Sequence, residues 1–392
     1  MTLTPNQSRP AARRVRRSLT AGLLAAACTA IAACGSGASP TSTTASAKEF
    51  SADKPMKAVF LYDGTPQDGG WDQSWDTARQ AVQKKFGSRV ELEFKTKVPE
   101  STEAARVIDQ AVQDGADLVI GISYGFGKYM TAAAKKHPST RFYQYNWQSP
   151  ADKNFSGVGL RTEDSYYLLG MAAAAVGEKG KLGVVGSFPI PALIREVNAF
   201  ELGAKKINPK ATVRAVFVNS WFDPQKDLQA TKALMAGGVE VIGNLVGDQA
   251  IQRTAQDQGI PWVGDTTDTR TAAPATYVGL SSWTWKSELE RVIGSVLDDS
   301  WRPGYRYVGI SDGAITMAPW GAYYKSRATA AEQAEITKAQ AAMERGELKV
   351  FDGPVTDATG KVRVPAGSTP SVADLEAMDY PVQGVSGIKT GN

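Results

Sequence analysis

Asp63, Asp68, Asp72 and Asp76 fall in one short stretch of the sequence, and Asp265 and Asp268 fall together in another. Grouped carboxylates can hold a divalent ion, work as an acid–base pair, or accept N–H bonds from a bound molecule. They also have structural uses. Asp72 and Asp76 suit the start of a helix electrostatically, and Asp68 suits the Gly69-Gly70 turn. Other residue types narrow the choice. The single histidine, His137, lies in Lys135-Lys136-His137-Pro138, a polar helix end that fits an exposed structural role. There is no G-x-S-x-G elbow, no Walker A loop and no H-E-x-x-H pair. Gly125-Phe126-Gly127 follows an apolar run but lacks the third glycine of a dinucleotide fingerprint. The aspartate spacing does not match an EF-hand loop. A binding protein is expected, with no catalytic residue, metal or cofactor.

The aromatic residues say more. Trp71 sits in Asp68-Gly69-Gly70-Trp71-Asp72, after an apolar run, and Trp221-Phe222 follow another. If those runs are strands of open α/β sheets, both tryptophans lie at carboxyl ends, where such sheets bind ligands. A tryptophan in a glycine-rich loop gains little burial from its neighbours. One large ring from each of two lobes would clamp a flat molecule, stacking being worth ~1–3 kcal/mol per base. The competing reading is that each ring closes a loop over its own lobe. Trp283 and Trp285 fit either role, since Trp285 begins a helix.

The elements that must position these residues follow from periodicity. Strands are expected at 58–62, 90–95, 118–122, 142–145 and 156–159, with helices at 73–85 and 101–113, the latter capped by Ser101. The alternation repeats, with strands at 182–185, 213–218, 239–243 and 262–263 and helices at 165–176, 192–207, 226–236 and 251–258. Two such sets imply two lobes, each a parallel sheet flanked by helices. A polar helix at 328–345 and a Gly/Pro-rich tail would pack on the body.

The N-terminus reads as an export signal. Residues 1–33 hold five arginines and no acid, and an Ala-rich apolar run ends in Ile31-Ala32-Ala33-Cys34. That run is too short and weakly apolar to span a bilayer, which takes ~20 strongly apolar residues. The Cys34 context resembles a bacterial lipobox, and Arg16-Arg17 also suits twin-arginine export. Residues 35–47 are small and polar, a flexible tether. With the leader removed, 39 basic residues face 40 acidic ones, so the net charge falls from +4 to −1. A nucleic-acid partner is disfavoured, because it requires a clustered basic face. Cys28 lies inside the leader, so no disulfide is expected within the mature chain.

Phe188-Pro189-Ile190-Pro191, Asn198-Ala199-Phe200, Gly203-Ala204, Asn208-Pro209-Lys210-Ala211 and Trp221-Phe222-Asp223-Pro224 together resemble the basic membrane protein (BMP) family of ABC-transporter solute-binding lipoproteins. Asp68-Gly69-Gly70-Trp71, Gly353-Pro354 and Gly360-Lys361-Val362-Arg363 fit the same subgroup. The resemblance implies a type I periplasmic-binding-protein fold, two Rossmann-like lobes joined by a three-segment hinge. The implied organisation is a signal peptide at 1–33 and a lipidated Cys34 with its tether to 54. An N-terminal lobe of 55–160 and 269–303 follows, then a C-terminal lobe of 161–268 and 304–326, and a tail of 327–392. The family is known for purine nucleosides or bases as ligands, permease subunits as partners, and the extracytoplasmic membrane face as location. Carried across, Trp71 and Trp221 match the aromatics that sandwich the base, Asp72 and Asp68 lie in the ligand loop, and Phe188 joins the ligand-binding set. Asp268 matches the second acid of a G-x-D-S-D strand end. Thr266 replaces the first acid, and Trp283 stands where nucleoside binders often carry lysine. Losing an acid and a cation from the sugar end favours a free base such as adenine, although Asp265 could replace the acid. A secreted nucleoside-hydrolysing enzyme and a ligand-sensing lipoprotein acting on a membrane receptor are the alternatives.

Overall fold

The computed structural model describes residues 49–147, 152–246 and 249–388. The expected signal segment, Cys28, Cys34 and the tether up to residue 48 lie outside the described residues. The tether is expected to run to residue 54, but Phe50 is already buried against the core, so the packed body includes it.

The strands are β1 Met56–Leu61, β2 Val90–Lys95, β3 Leu118–Gly121, β4 Arg141–Tyr145, β5 Phe155–Leu160, β6 Lys181–Gly186, β7 Thr212–Phe217, β8 Val241–Leu245, β9 Trp262–Gly264, β10 Tyr277–Trp283, β11 Gly304–Val308, β12 Ile315–Met317, β13 Val355–Thr356, β14 Val362–Val364 and β15 Val385–Ser386. The α-helices are α1 Trp71–Phe86, α2 Thr102–Gln113, α3 Gly127–Lys136, α4 Glu163–Val176, α5 Pro191–Ile207, α6 Pro224–Ala236, α7 Ala250–Asp257, α8 Lys286–Leu297, α9 Ala322–Arg327, α10 Ala330–Glu344 and α11 Val372–Glu376.

One sheet runs β11-β5-β4-β3-β1-β2 and is parallel throughout. The other runs β12-β10-β9-β8-β6-β7-β15 and is parallel except where β12 meets β10. Both are doubly wound. The order reverses between β1 and β3 in the first sheet and between β6 and β8 in the second. Central strands such as β3, Leu-Val-Ile-Gly, are buried along their whole length, as a sheet covered on both faces requires. Ser101 caps α2 as expected, its hydroxyl accepting the Glu103 N–H at 3.3 Å.

The chain passes between the sheets three times, from β5 to α4, from β10 to α8 and from β11 to β12. The second and third passages differ from the expected boundaries. β10 lies within the 269–303 segment expected in the N-terminal lobe, yet it pairs with β9 in the second sheet. β11 lies within the 304–326 segment expected in the C-terminal lobe, yet it pairs with β5 in the first. β9 keeps only three residues, so the strand that completes the second sheet comes after it. β11 is an edge strand with exposed alternate residues, a pattern that does not announce which sheet it joins.

Two arginines tie these passages to each other and to the tail. Arg161 donates to Asp164 at 2.9 Å, to Ser311 at 2.6 Å and to Asp312 at 3.0 Å, linking the first and third crossings. Arg195 of α5, 1% exposed, donates to Glu163 at 3.0 Å and to the Leu375 carbonyl at 3.0 Å.

Helix α5 also carries residues into the space between the sheets, and its position depends on glycine. A Cβ at Gly170 of α4 would run into the Phe200 carbonyl oxygen, and one at Gly203 of α5 into the Tyr167 carbonyl oxygen. Backbone meets backbone at both points. Gly203→Ala is therefore expected to force the helices apart and destabilise the protein by about 1–3 kcal/mol, read as a lower urea midpoint with unchanged slope.

The tail is more ordered than expected. α10 packs on α4 and begins with a capping box between Thr329 and Glu332. Beyond it, β13 and β14 form an antiparallel pair, and β15 extends the second sheet beside β7.

Candidate ligand-binding cleft

The loops at the carboxyl ends of both sheets face one another across a cavity of about 460 Å³. That volume lies within the ~300–1,000 Å³ typical of small-molecule sites.

On the first lobe, the loop from β1 to α1 is held by its own acids. Asp68 accepts the backbone N–H groups of Gly70 at 2.8 Å, Asp72 at 2.9 Å and Gln73 at 3.1 Å. It thereby satisfies N–H groups that the start of α1 would otherwise leave free. Gly69 takes φ 80°, a conformation that favours glycine. Asp72, 1% exposed, accepts the Gly64 N–H at 2.8 Å. Trp71, fixed by its indole N–H donating to the Ile122 carbonyl at 3.1 Å, stands in an aromatic wall. It lies 4.6 Å from Tyr145 and edge-on to Trp283 at 5.7 Å and Trp285 at 5.5 Å. Trp75 and Trp285 stack at 3.9 Å and back that wall.

On the second lobe, Trp221 follows β7 and tilts against Phe188 at 4.8 Å. Its indole N–H crosses the cleft and donates to Glu100 of the first lobe at 3.2 Å. Thr267 makes a second crossing, donating to the Gly69 carbonyl at 2.5 Å. These two bonds bridge the lobes beside the cavity.

Asp63, Asp68, Asp72, Glu196 and Asp265 all line the cavity, whereas Lys97 is the one cation among the described lining residues. Burial is the main cause pushing the acids' pKa values up, and like charge adds to it. Asp63 is raised to about 7 by burial and then by the Glu100 and Asp68 charges. Asp72 is raised to about 9, with Asp63 as its largest charged neighbour. Glu196 is raised to about 8 by burial and Asp265, and burial raises Asp265 to about 7. Three buried polar atoms among the lining residues have no partner: Asp63 Oδ1, Asp265 Oδ2 and Trp283 Nε1. An unpartnered buried polar group costs about 1–3 kcal/mol, so these atoms are suited to meeting a ligand.

Of the residues expected to bind ligand, Asp68, Trp71, Asp72, Trp221 and Trp283 line the cavity. Phe188 packs behind Trp221 and is not itself among the lining residues. Asp268, expected to bind ligand, does not line the cavity. Its side chain is 49% exposed and binds Arg270 at 2.6 and 2.8 Å. Thr266, with φ 75°, turns the chain just after β9 and leaves Asp265 facing the cavity instead. Asp76 is structural, accepting bonds from Tyr62, Arg79 and Gln80. His137 pairs with Asp109 at 2.8 Å, outside the cavity, and is only partly exposed. Tyr145 and Glu196 line the cavity and Glu100 reaches across it, although none of the three is expected there from sequence. Glu196 carries one usable signal, an acid at helical spacing from the small residues Ala192, Ala199 and Gly203 of α5.

Comparison with known proteins agrees with this architecture. A structure of ABC transporter system solute-binding proteins from Aeropyrum pernix K1 superposes with a TM-score of 0.67 at 17% identity, covering 75% of this chain and 93% of that one. A purine-binding protein of Brucella abortus is 32% identical over 334 residues, covering 85% of this chain and 94% of the relative. A putative ABC transporter glucose-binding protein of Haloferax volcanii is 30% identical, covering 68% of this chain and 67% of the relative. Residues 56–346 match the family described as Bmp, ABC transporter substrate-binding protein PnrA-like. With two doubly wound lobes facing each other across a lined cleft, the chain belongs to the Bmp family of PnrA-like ABC transporter substrate-binding proteins.

Proposed function

We propose that the protein captures a purine base, adenine-like, between Trp71 and Trp221 and delivers it to the permease of an ABC importer. The observation carrying this reading is the cleft's lining: fused aromatic rings from both lobes beside unpartnered polar atoms. Stacking accepts any base, because every base has a π-face. Discrimination must come from the ring edge, where Asp63 and Asp265 offer acceptors for N–H groups and Trp283 offers a donor for a ring nitrogen. The kinship with a purine-binding protein supports the ligand class. Trp283 in place of a cation, and Thr266 in place of an acid, favour the base over the nucleoside. The lipid on Cys34 would hold the protein at the extracytoplasmic face of the membrane, and Cys34→Ala should release it into the medium.

Native mass spectrometry of the protein as purified, followed by calorimetry on stripped protein, tests the ligand. Adenine should bind at micromolar affinity or tighter, with adenosine weaker and glucose silent. Flat traces with adenine, guanine, hypoxanthine, xanthine and their nucleosides would sink the purine reading. Within it, Asp265→Asn should weaken adenine binding by about 10- to 150-fold, the worth of a hydrogen bond to a charged group. Asp268→Asn should leave affinity unchanged, because Asp268 is occupied by Arg270 on the surface.

A further inference from the structure

Glu100 lies outside the cavity lining, in the turn between β2 and α2, yet its two carboxylate oxygens do separate jobs. Oε1 is anchored within the first lobe, accepting the Ser123 hydroxyl at 2.5 Å and the Gly125 N–H at 2.8 Å. Gly125 permits this approach, since a Cβ there would lie 2.6 Å from Oε1. The Gly125-Phe126-Gly127 run, which lacks a dinucleotide fingerprint, thus has a different use. Oε2 is left free to reach the other lobe, where it accepts the Trp221 indole N–H at 3.2 Å. Within its own lobe the Trp221 ring is packed against Phe188, a contact that does not orient the N–H.

We propose that Glu100 is a positioning residue: as the lobes close, it draws the Trp221 ring down by its indole N–H and thereby slows ligand release. The proposal rests on the reading that Trp221 covers the ligand. An opening motion must break this bond before the ring can lift, whereas ligand entry into the open cleft does not require it. The effect therefore falls on dissociation far more than on association. A hydrogen bond to a charged group, preformed on one side by the Ser123 and Gly125 anchors, supports about a tenfold change in that rate.

Stopped-flow kinetics with adenine as the probe test this in a double-mutant cycle. Glu100→Ala and Trp221→Phe, which keeps a ring but loses the N–H, should each speed dissociation about tenfold, with association little changed. The double variant should release adenine no faster than either single one, because both remove the same bond. Glu100→Gln loses the charge and has one acceptor oxygen for three donors, so its release rate should fall between those of the wild type and Glu100→Ala. In spectra of protein labelled with nitrogen-15 at tryptophan, saturated with adenine, the indole signal missing from Trp221→Phe should shift in Glu100→Ala. Additive effects in the cycle, or an unmoved indole signal, would overturn the proposal. Trp221→Phe leaves Ser123 and Gly125 untouched, so it stays informative if Glu100→Ala folds poorly. Wild-type protein silent towards every purine would mark failure of the functional reading; normal binding with an additive cycle would mark failure of the latch alone.

Discussion

Trp221→Ala should weaken adenine binding by roughly 5- to 150-fold while the empty protein melts almost where the wild type does. The range is the ~1–3 kcal/mol that a stacked base contributes, converted at 1.4 kcal/mol per tenfold. The structure explains why this tryptophan gives the cleaner measurement. Trp221 stands at the cleft with Phe188 as its aromatic neighbour, so truncation removes ligand contact and the bond to Glu100 but little core. Trp71 touches Trp75, Tyr145, Trp283 and Trp285, and the same change there would open a hole in an aromatic cluster. Trp71→Ala is accordingly expected to lower both affinity and stability. Calorimetry and thermal melts on the two variants check the contrast; equal loss of melting temperature would show that Trp221 is a packing residue.

Adenine affinity should rise with pH between about 6 and 8, by up to about tenfold per unit for each proton released. Asp63 and Asp265 stand raised to about 7 and Glu196 to about 8, so below pH 7 they carry protons. A ligand N–H bonds best to the ionised form, so binding lowers these pKa values and expels protons. Asp63 faces Glu100, Asp68 and Asp72, and Asp265 faces Glu196 along with the Tyr166 and Thr266 hydroxyls. Like charge within each group opposes ionisation until an N–H donor arrives. The sign for stability is opposite. A folded pKa raised above the unfolded value stabilises at pH below about 4, and that contribution is lost as pH rises through about 7. The ligand-free protein's melting temperature should therefore lose this contribution between about pH 4 and 8, while the upshift caused by adenine grows. Calorimetry in two buffers of different ionisation enthalpy counts the protons. Affinity that is flat across this window, with no proton release, would contradict the role assigned to these acids. Asp265→Asn should reduce the slope.

Much of this architecture is legible in the residues themselves. Apolar runs of strand length alternating with helical periodicity specify two parallel sheets, because covered strands must be apolar on both faces. Trp71 and Trp221 stand out because each is a large ring beyond a strand's carboxyl end, Trp71 opening α1 and Trp221 in the loop after β7, where open α/β sheets place ligands. Ser101 announces its cap by residue type. These signals are local, and local backbone chemistry decides them.

What only the tertiary structure decides is which distant groups meet. Asp265 lines the cavity and Asp268 does not, because the left-handed turn at Thr266 sets the direction of the chain, and that turn is not written in spacing. β10 and β11 exchange their expected lobes because sheet membership depends on which edge is free, a property of the assembled sheet. The acids' raised pKa values follow from burial and from neighbours brought together by folding, such as Glu100 beside Asp63. Glu100 itself looks like any surface glutamate in sequence. It acquires a role only when Gly125 lets it sit against the backbone and closure brings Trp221 within reach, a convergence of three segments that no stretch of the chain contains alone.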